Sequence, residues 1–456
     1  LQVSGYSALS AVTCFTRHSD VHDMAANLTT MVRAHTLRYG IGYRVYRENT
    51  LEYDQSSGSL TFGANWTRGP LDNSPAAPMG QTMASFLYGL PTSGYFPVRD
   101  TYAEQATTLA LYLQDDWKLS RKLTLSIGLR HELITPLTER FNRSVRGFDA
   151  ASASPIENQV RDNYAKSPLR EVPVDQFRVR GGLTFAGVNG APRTLWNTPA
   201  TNFMPRIGLA YSMTPRTVLR AGYGLFYEPI GVVNTHVNQT GFHRQTDFVA
   251  SLDNGQTYVG GLINPFPNGF QYPLGAKGGL STNLGQGVAF FDQNMRYPYM
   301  QRWQFSLQRE LIAKSVIEMS YVGNRGTRQR SARQYNPIPR PYLSTSPVRD
   351  QEAINFLGAN GPNPFYPMLP GTSLAGANVA RSQLLRPYPQ FTSVLADTNQ
   401  AYSWYHSLQV RYDKRFSSDL STSVSYTWSK LMEARTFLNE TDATPEEVVS
   451  DQDRTH

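Results

Sequence analysis

Apolar and polar residues alternate along two neighbouring runs of the segment FMPRIGLAYSMTPRTVLRAGYGLFYEP, residues 203–229. The odd positions of each run are mostly apolar, as in Ile207, Leu209 and Leu219, and the even positions are small or charged. Successive side chains of a strand point to opposite faces of the sheet, so this period predicts two strands, with TPR at 214–216 closing a hairpin. The apolar face can then contact either a second sheet or lipid.

The same two-run pattern occurs five times along the chain. The predicted hairpins occupy residues 22–45, 107–132, 203–229, 303–323 and 402–430, with short turns at 33–35, 118–122, 214–216, 312–315 and 417–419. The last hairpin has the clearest faces, because alternate residues from Ser421 to Ser429 all carry hydroxyl groups while Val424 and its alternates are apolar. The repeated pattern predicts an all-β protein built from antiparallel hairpins.

Strand length and loop length favour a membrane barrel over a soluble β protein. Arms of about nine to eleven residues, tilted as barrel strands are, cover roughly 25 Å, which is the height of the apolar band of an outer-membrane barrel. Strands of soluble proteins usually have about five or six residues. The segments that join the hairpins run to roughly sixty or seventy-five residues. Short periplasmic turns and long extracellular loops are typical of an antiparallel transmembrane β-barrel.

Aromatic residues fall near the ends of the predicted arms, where the two membrane interfaces would lie. Such rings prefer the boundary between hydrocarbon and water. Alternatively, the same rings fill the core of a soluble sandwich. The predicted membrane-interface aromatics are Trp117, Tyr227, Trp303, Trp404, Phe416 and Trp428.

Composition narrows the class further. The 456 residues are 40% hydrophobic, and no apolar run approaches the roughly 18 residues of a membrane-spanning helix, which excludes a helical membrane protein. The 35 glycines and 29 prolines suit strands and turns. The net charge of +8 permits an anionic partner, but the arginines are scattered, so no nucleic-acid binding is predicted. Cys14 is the single cysteine and cannot form an internal disulfide.

Four longer strings carry a family resemblance. YLQDDWKLSRKLTLSIGLRHE, PRIGLAYSMTPRTVLRAGYGLFYE, QRELIAKSVIEMSYVGNRGT and HSLQVRYDKRFSSDLSTSVSYTWSK together resemble the barrel of TonB-dependent outer-membrane receptors. The likeness covers residues 20–450 and is strongest to the Oar-like group, whose members often begin with a carboxypeptidase-regulatory-like domain.

The resemblance implies a 22-stranded barrel in the outer membrane of a Gram-negative bacterium, plugged by an N-terminal domain and energised by TonB. We expect residues 1–456 to be a partial barrel domain, without the plug, the TonB box, the signal peptide or the C-terminal strands. The implied partners are the TonB complex, outer-membrane lipid and lipopolysaccharide, and an unknown nutrient ligand. The barrel is expected to be monomeric and to need no cofactor.

Candidate functional residues lie on the polar face and in one loop. The predicted lumen-facing residues are Arg130, Arg206, Arg220, Gln304 and Glu318, and the predicted ligand loop contains Asn234, His236, Asn238, His243 and Arg244. His236 and His243 are seven positions apart, but no third ligand with suitable spacing follows, so no metal site is predicted.

Two catalytic patterns are rejected, and no enzyme activity is predicted. Asp115 and Asp116 are strand neighbours that face opposite sides, so they cannot share a proton. Gly222 and Gly224 lie inside a strand and not before a helix, so they do not bind a dinucleotide.

Three functions remain open from the sequence. The first is a TonB-dependent transporter that takes up a bulky or scarce nutrient through a plugged barrel. The second is a structural or adhesive surface barrel that transports nothing. The third is a soluble all-β carbohydrate-binding protein or glycoside hydrolase, although the sequence gives no reason to name a pair of catalytic carboxylates.

Overall fold

A computed structural model describes most of the chain. The described residues are 1–9, 15–52, 58–69, 74–75, 80–99, 101–231, 235–251, 257–267, 269–312, 314–370, 372–416 and 420–453. Cys14, Asn234 and the predicted turn at 417–419, all discussed from the sequence, lie outside them. Within the described residues, no helix has the length and apolar character needed to cross a bilayer.

Strands make up most of the regular structure. They are β1 (Gln2–Val3), β2 (Phe15–Val32), β3 (His35–Glu52), β4 (Ser59–Phe62), β5 (Ser93–Arg99), β6 (Tyr102–Lys118), β7 (Leu123–Ile134), β8 (Thr138–Glu139), β9 (Val145–Ala153), β10 (Arg180–Phe185), β11 (Phe203–Thr214), β12 (Thr217–Tyr227), β13 (His243–Asp247), β14 (Gly287–Phe291), β15 (Tyr299–Glu310), β16 (Ser315–Gln334), β17 (Asn360–Pro362), β18 (Asn378–Ala380), β19 (Ser393–Arg415), β20 (Ser421–Ala434) and β21 (Val448–Val449). The helices are α1 (Gln81–Leu87), α2 (Glu157–Tyr164), α3 (Gln351–Gly358) and α4 (Arg381–Leu384), with 3-10 turns at Gly275–Ser281 and Arg340–Tyr342.

Ten long strands form one continuous antiparallel sheet, called the wall here. Its order is β2-β3-β6-β7-β11-β12-β15-β16-β19-β20, so the strands pair in chain order, and each of the five predicted hairpins is confirmed. The short strands β8, β14 and β21 pair with β6, β19 and β20 at the margins. The sheet is open among the described residues, because β2 and β20 do not pair with each other.

The strands are longer than the sequence predicts. The wall strands range from 11 residues in β12 to 23 in β19, whereas the predicted arms had about nine to eleven. The prediction was too short because it counted only residues that keep the apolar alternation. The hydrogen-bonded ladder continues beyond that apolar stripe towards the loop end, where side chains such as Ala106 and Ala396 pack into the cores of the loops. The predicted all-β fold of antiparallel hairpins is confirmed.

The two faces of the wall differ as the period-two pattern requires. The paired residues Ile127 and Ile207 share the apolar face and are each about half exposed, and Val424 is 59% exposed. No second sheet covers this face among the described residues. Exposed apolar side chains over so many strands need a non-aqueous partner, which for a wall of this kind is lipid.

The loop ends of the hairpins carry a folded layer, called the cap here and defined as residues 135–202, 228–298 and 335–392. Its larger core combines side chains from all three segments, such as Phe177, Phe242 and Phe391. A second core contains the cap residue Trp196 and rests on Ala106 of β6, which lies on the polar face of the wall. The long segments between the hairpins are therefore folded and share buried cores.

Candidate functional site

The five predicted lumen-facing residues lie together on the polar face of the wall. Arg220 donates to Oε1 of Gln308 at 2.7 Å, and the Arg206 guanidinium lies 4.7 Å from the centre of the Phe226 ring. The placement follows from register, since each residue lies between two neighbours in its strand whose side chains are on the apolar face. The five residues are Arg130, Arg206, Arg220, Gln304 and Glu318.

Ion pairs and close packing organise the same face. Arg38 of β3 donates to Asp116 of β6 at 2.8 Å. Asp115 instead shares the apolar face with His35, and their side chains are 2.7 Å apart. The prediction that the two aspartates face opposite sides is confirmed. Gly40 leaves room for the Tyr112 ring, because a Cβ atom there would come within 2.7 Å of it.

The predicted interface aromatics lie on the apolar face or at its margin. Trp117 stacks on His35 near the turn end, with ring centroids 5.1 Å apart. Trp303 and Trp404 flank His406 nearer the loop end. The other three lie at separate positions: Tyr227 beside Tyr299, Phe416 beside Lys414, and Trp428 opposite Leu408 within the apolar stripe.

A buried polar cluster joins the cap to the wall. Glu48 on β3 and Glu104 on β6 are direct partners in the ladder, beyond the apolar stripe, and they are 5% and 2% exposed. His236 comes from the cap, with its Nδ1 atom 2.6 Å from Oε1 of Glu104 and 3.5 Å from Oε1 of Glu48. The backbone N–H of Val237 donates to Oε2 of Glu104 at 2.9 Å. These three side chains are called the Glu48–Glu104–His236 cluster below.

The two buried carboxylates of this cluster need positive charge or hydrogen-bond donors nearby. Two carboxylates placed directly opposite one another in a sheet repel, and burial increases the repulsion. Arg17 lies beside Glu48, with Nε 3.1 Å from Oε1, and the Ser19 hydroxyl donates to the same carboxylate. The hydrogen bond with Glu104, aided by the charges of both carboxylates and opposed by burial, raises the pKa of His236 above its ordinary value. The carboxylates therefore favour a cation at the position of His236.

The predicted ligand loop separates into three environments. His236 belongs to the cluster described above. Asn238 anchors the cap, because its side chain donates to the carbonyl of Ala289 at 2.7 Å and accepts from the backbone of Thr240. His243 and Arg244 are exposed and line a cavity of about 570 Å³.

This cavity, called the cap cavity here, has a mostly polar lining. Arg244 donates to Oε1 of Gln271 at 2.7 Å, and Asp247 lies on the same strand. The hydroxyl of Thr282 is buried in the lining and has no hydrogen-bond partner among the described residues. An opening of this size with convergent amide, hydroxyl and guanidinium groups can hold a small polar solute or part of a larger one.

Sequence reasoning found His236 but missed both glutamates. The period-two pattern could have assigned Glu48 and Glu104 to the polar face, since they continue the alternation of Arg44 and Thr108. It could not pair them, because a long loop joins β3 to β6 and the register across such a loop cannot be read from the sequence. The structure does not join His236 to His243, whose Nδ1 contacts the backbone of Gln239 instead.

No curated protein matches the chain significantly. Solved structures that it resembles include the outer membrane transporter YddB from Escherichia coli, with 10% identity and a TM-score of 0.43 over 91% of this chain and 34% of that one. The FrpB iron transporter from Neisseria meningitidis has 10% identity and a TM-score of 0.34, over 91% and 36%. The ferric yersiniabactin uptake receptor FyuA from Yersinia pestis has 9% identity and a TM-score of 0.34, over 93% and 37%.

The chain spans about a third of the length of these solved structures. The family described as outer membrane beta barrel domain matches all of it, residues 1–456. Together with the exposed apolar face of the wall, this match places the protein in the outer membrane of a Gram-negative bacterium and excludes the soluble alternative. The chain belongs to the outer membrane β-barrel domain family.

Proposed function

We propose that this chain is part of a TonB-dependent receptor of the Oar-like group, which takes up a bulky or scarce nutrient through a plugged barrel. In this proposal the wall is a segment of a 22-stranded barrel that a plug domain closes and TonB energises. Arg130, Arg206, Arg220, Gln304 and Glu318 then line the lumen, where they contact the plug or the passing solute.

The observation that carries the proposal is the cap on the polar face of the wall. Loops of a barrel that only anchored the protein would need no shared core. Here Val237 and Trp196 of the cap pack with Tyr102 and Ala106 of the wall, so the loops cover the loop end of the polar face. A cover of this kind controls which solutes reach the lumen.

The cap cavity is the proposed first binding site for the nutrient. Arg244 supplies a positive charge, and Gln245, Gln271 and Thr282 supply amide and hydroxyl groups. Such a lining suits an oligosaccharide, a peptide or an anionic chelate. His243 and Arg244 then contact the ligand, whichever of the three it is. Asn238 supports the loop that carries them.

Paired deletions test the proposal. We expect a strain that lacks this gene to lose growth on one limiting nutrient, under iron or carbon limitation, and a strain that lacks TonB to lose growth on the same nutrient. Complementation with R244A should restore growth only partly, whereas wild-type complementation should restore it fully. Unchanged growth of the deletion strain on every limiting nutrient that requires TonB would refute the transport proposal.

The second candidate is an adhesive barrel, which the surface of the chain favours in one respect. Ile263, Tyr272 and Val348 lie in the cap with most of their side chains exposed, and such residues can bind another surface. If the deletion strain grew normally but lost attachment to other cells, adhesion would replace uptake as the function.

A further inference from the structure

We propose that Glu48, Glu104 and His236 form a binding site for one divalent transition-metal ion of the Zn²⁺ type, at the contact between the cap and the wall. The three donor atoms lie within 4.8 Å of one another. The site goes beyond nutrient uptake and does not rest on it, since it lies apart from the cap cavity.

The donor types fit this class of metal. Carboxylate oxygen and imidazole nitrogen are ordinary zinc ligands, and three protein ligands with one open position are a common set. Metal ions that prefer thiolate ligands are disfavoured because the cluster contains no sulfur. Ca²⁺ is disfavoured because it prefers oxygen ligands and one of the three ligands here is an imidazole nitrogen. The two glutamates are buried and face each other, so a dication placed between them offsets their repulsion.

The distances require only a small adjustment. Donor atoms around a tetrahedral zinc ion lie roughly 3.4 Å apart, given metal–ligand bonds of about 2.1 Å. His236 Nδ1 is already 3.5 Å from Oε1 of Glu48 and 2.6 Å from Oε1 of Glu104. The shorter distance is that of a hydrogen bond, so binding replaces the shared proton with the metal, and the proton leaves to solvent.

The site also has an entrance and further polar groups. His236 lines a cavity of about 490 Å³ together with Thr235 and Gln239. The Thr235 hydroxyl and the Gln239 side-chain nitrogen are buried and have no hydrogen-bond partner in the described part of the chain, and Thr235 is only 5% exposed. Unpaired buried polar groups beside three convergent ligands indicate a hydrated species in the cavity.

The competing interpretation is a closed ion-pair network without metal. In that case Arg17 and a protonated His236 alone balance the two glutamates. Arg17 does not close the site, because its side chain is 40% exposed and contacts only Glu48 in the cluster. A metal would link β3, β6 and the cap by bonds, whereas the ion-pair network needs no added ion. The two interpretations therefore differ in whether the purified protein takes up zinc.

The experiment uses the full-length protein in detergent micelles after treatment with a chelator. Zn²⁺ is titrated by calorimetry, and Co²⁺ is added separately because its visible absorption reports ligand type and geometry. We expect one Zn²⁺ per chain for the wild type, and binding about 100-fold weaker or undetectable for H236Q and E104Q. The matched control is H18Q, which removes an exposed histidine of β2 on the face of the wall opposite to Glu48 and should bind as the wild type does.

The controls also address folding. Circular dichroism and the shift in gel mobility on heating show whether each variant keeps its barrel, and E48Q provides a third ligand variant if one of the others fails to fold. Absence of a saturable site in the wild type would overturn the proposal. So would wild-type affinity in folded H236Q, or equal losses in H236Q and H18Q.

Discussion

Phe305 offers a direct test of which face of the wall meets lipid. It lies on the apolar face of β15, paired with Ala221 and Tyr321, and half of its side chain is exposed. Arginine in its place puts a charge into hydrocarbon, which costs about 2–4 kcal/mol at the membrane midplane. We therefore expect F305R to lower the free energy of unfolding by that amount, roughly a 30- to 700-fold change in the folding equilibrium.

The control is Q304R, which adds the same charge one residue away on the opposite face. Gln304 is exposed and pairs with Gly222 and Val322. A Cβ atom at Gly222 would meet nothing closer than 3.7 Å, so there is room for a longer side chain. A charge that stays hydrated there should change stability by no more than about 0.5 kcal/mol.

The assay is reversible denaturant unfolding of the full-length protein in phospholipid vesicles, followed by tryptophan fluorescence. If the unfolding free energy depends on denaturant concentration with the same slope in both variants, the difference between their unfolding midpoints reports the difference in stability. Equal losses in both variants, or a larger loss in Q304R, would refute the assignment of the apolar face to lipid.

Two further predictions concern the cap and its attachment. Replacing Phe391, which is fully buried in the larger cap core, with alanine should cost about 3–5 kcal/mol and open the cap to protease, while Y366A at a half-exposed position should not. Glu139 accepts from the backbone N–H groups of Phe141 at 2.6 Å and Arg143 at 2.8 Å. Both of these groups donate to Oε2, and the other oxygen, Oε1, accepts from the backbone N–H of Ala103 at 3.1 Å. E139Q should cost about 1–3 kcal/mol, because the amide can accept on one side only and its NH2 group must then face either Ala103 or Phe141 and Arg143. Unchanged hydrogen exchange at all three backbone amides would contradict this.

The sequence by itself determined the local design of the wall. The alternation of residues such as Ile207 and Val424 with glycine, serine and arginine identified the strands, their two faces and the five tight turns. This was predictable because a strand couples sequence position to face by its own geometry, whatever its neighbours are. The apolar stripe also fixed which face has to leave water.

Only the tertiary structure decided the contacts between distant segments. The loop-end part of β16, residues 325–334, lacks apolar alternation, so only its pairing with β19 shows that it is a strand. The pairing of Glu48 with Glu104, and the approach of His236 to both, depends on how long loops close and pack. A sequence pattern determines locally which way a side chain points. It does not determine which of many similar polar residues meet after the loops close. The Glu48–Glu104–His236 cluster is therefore visible only in the tertiary structure.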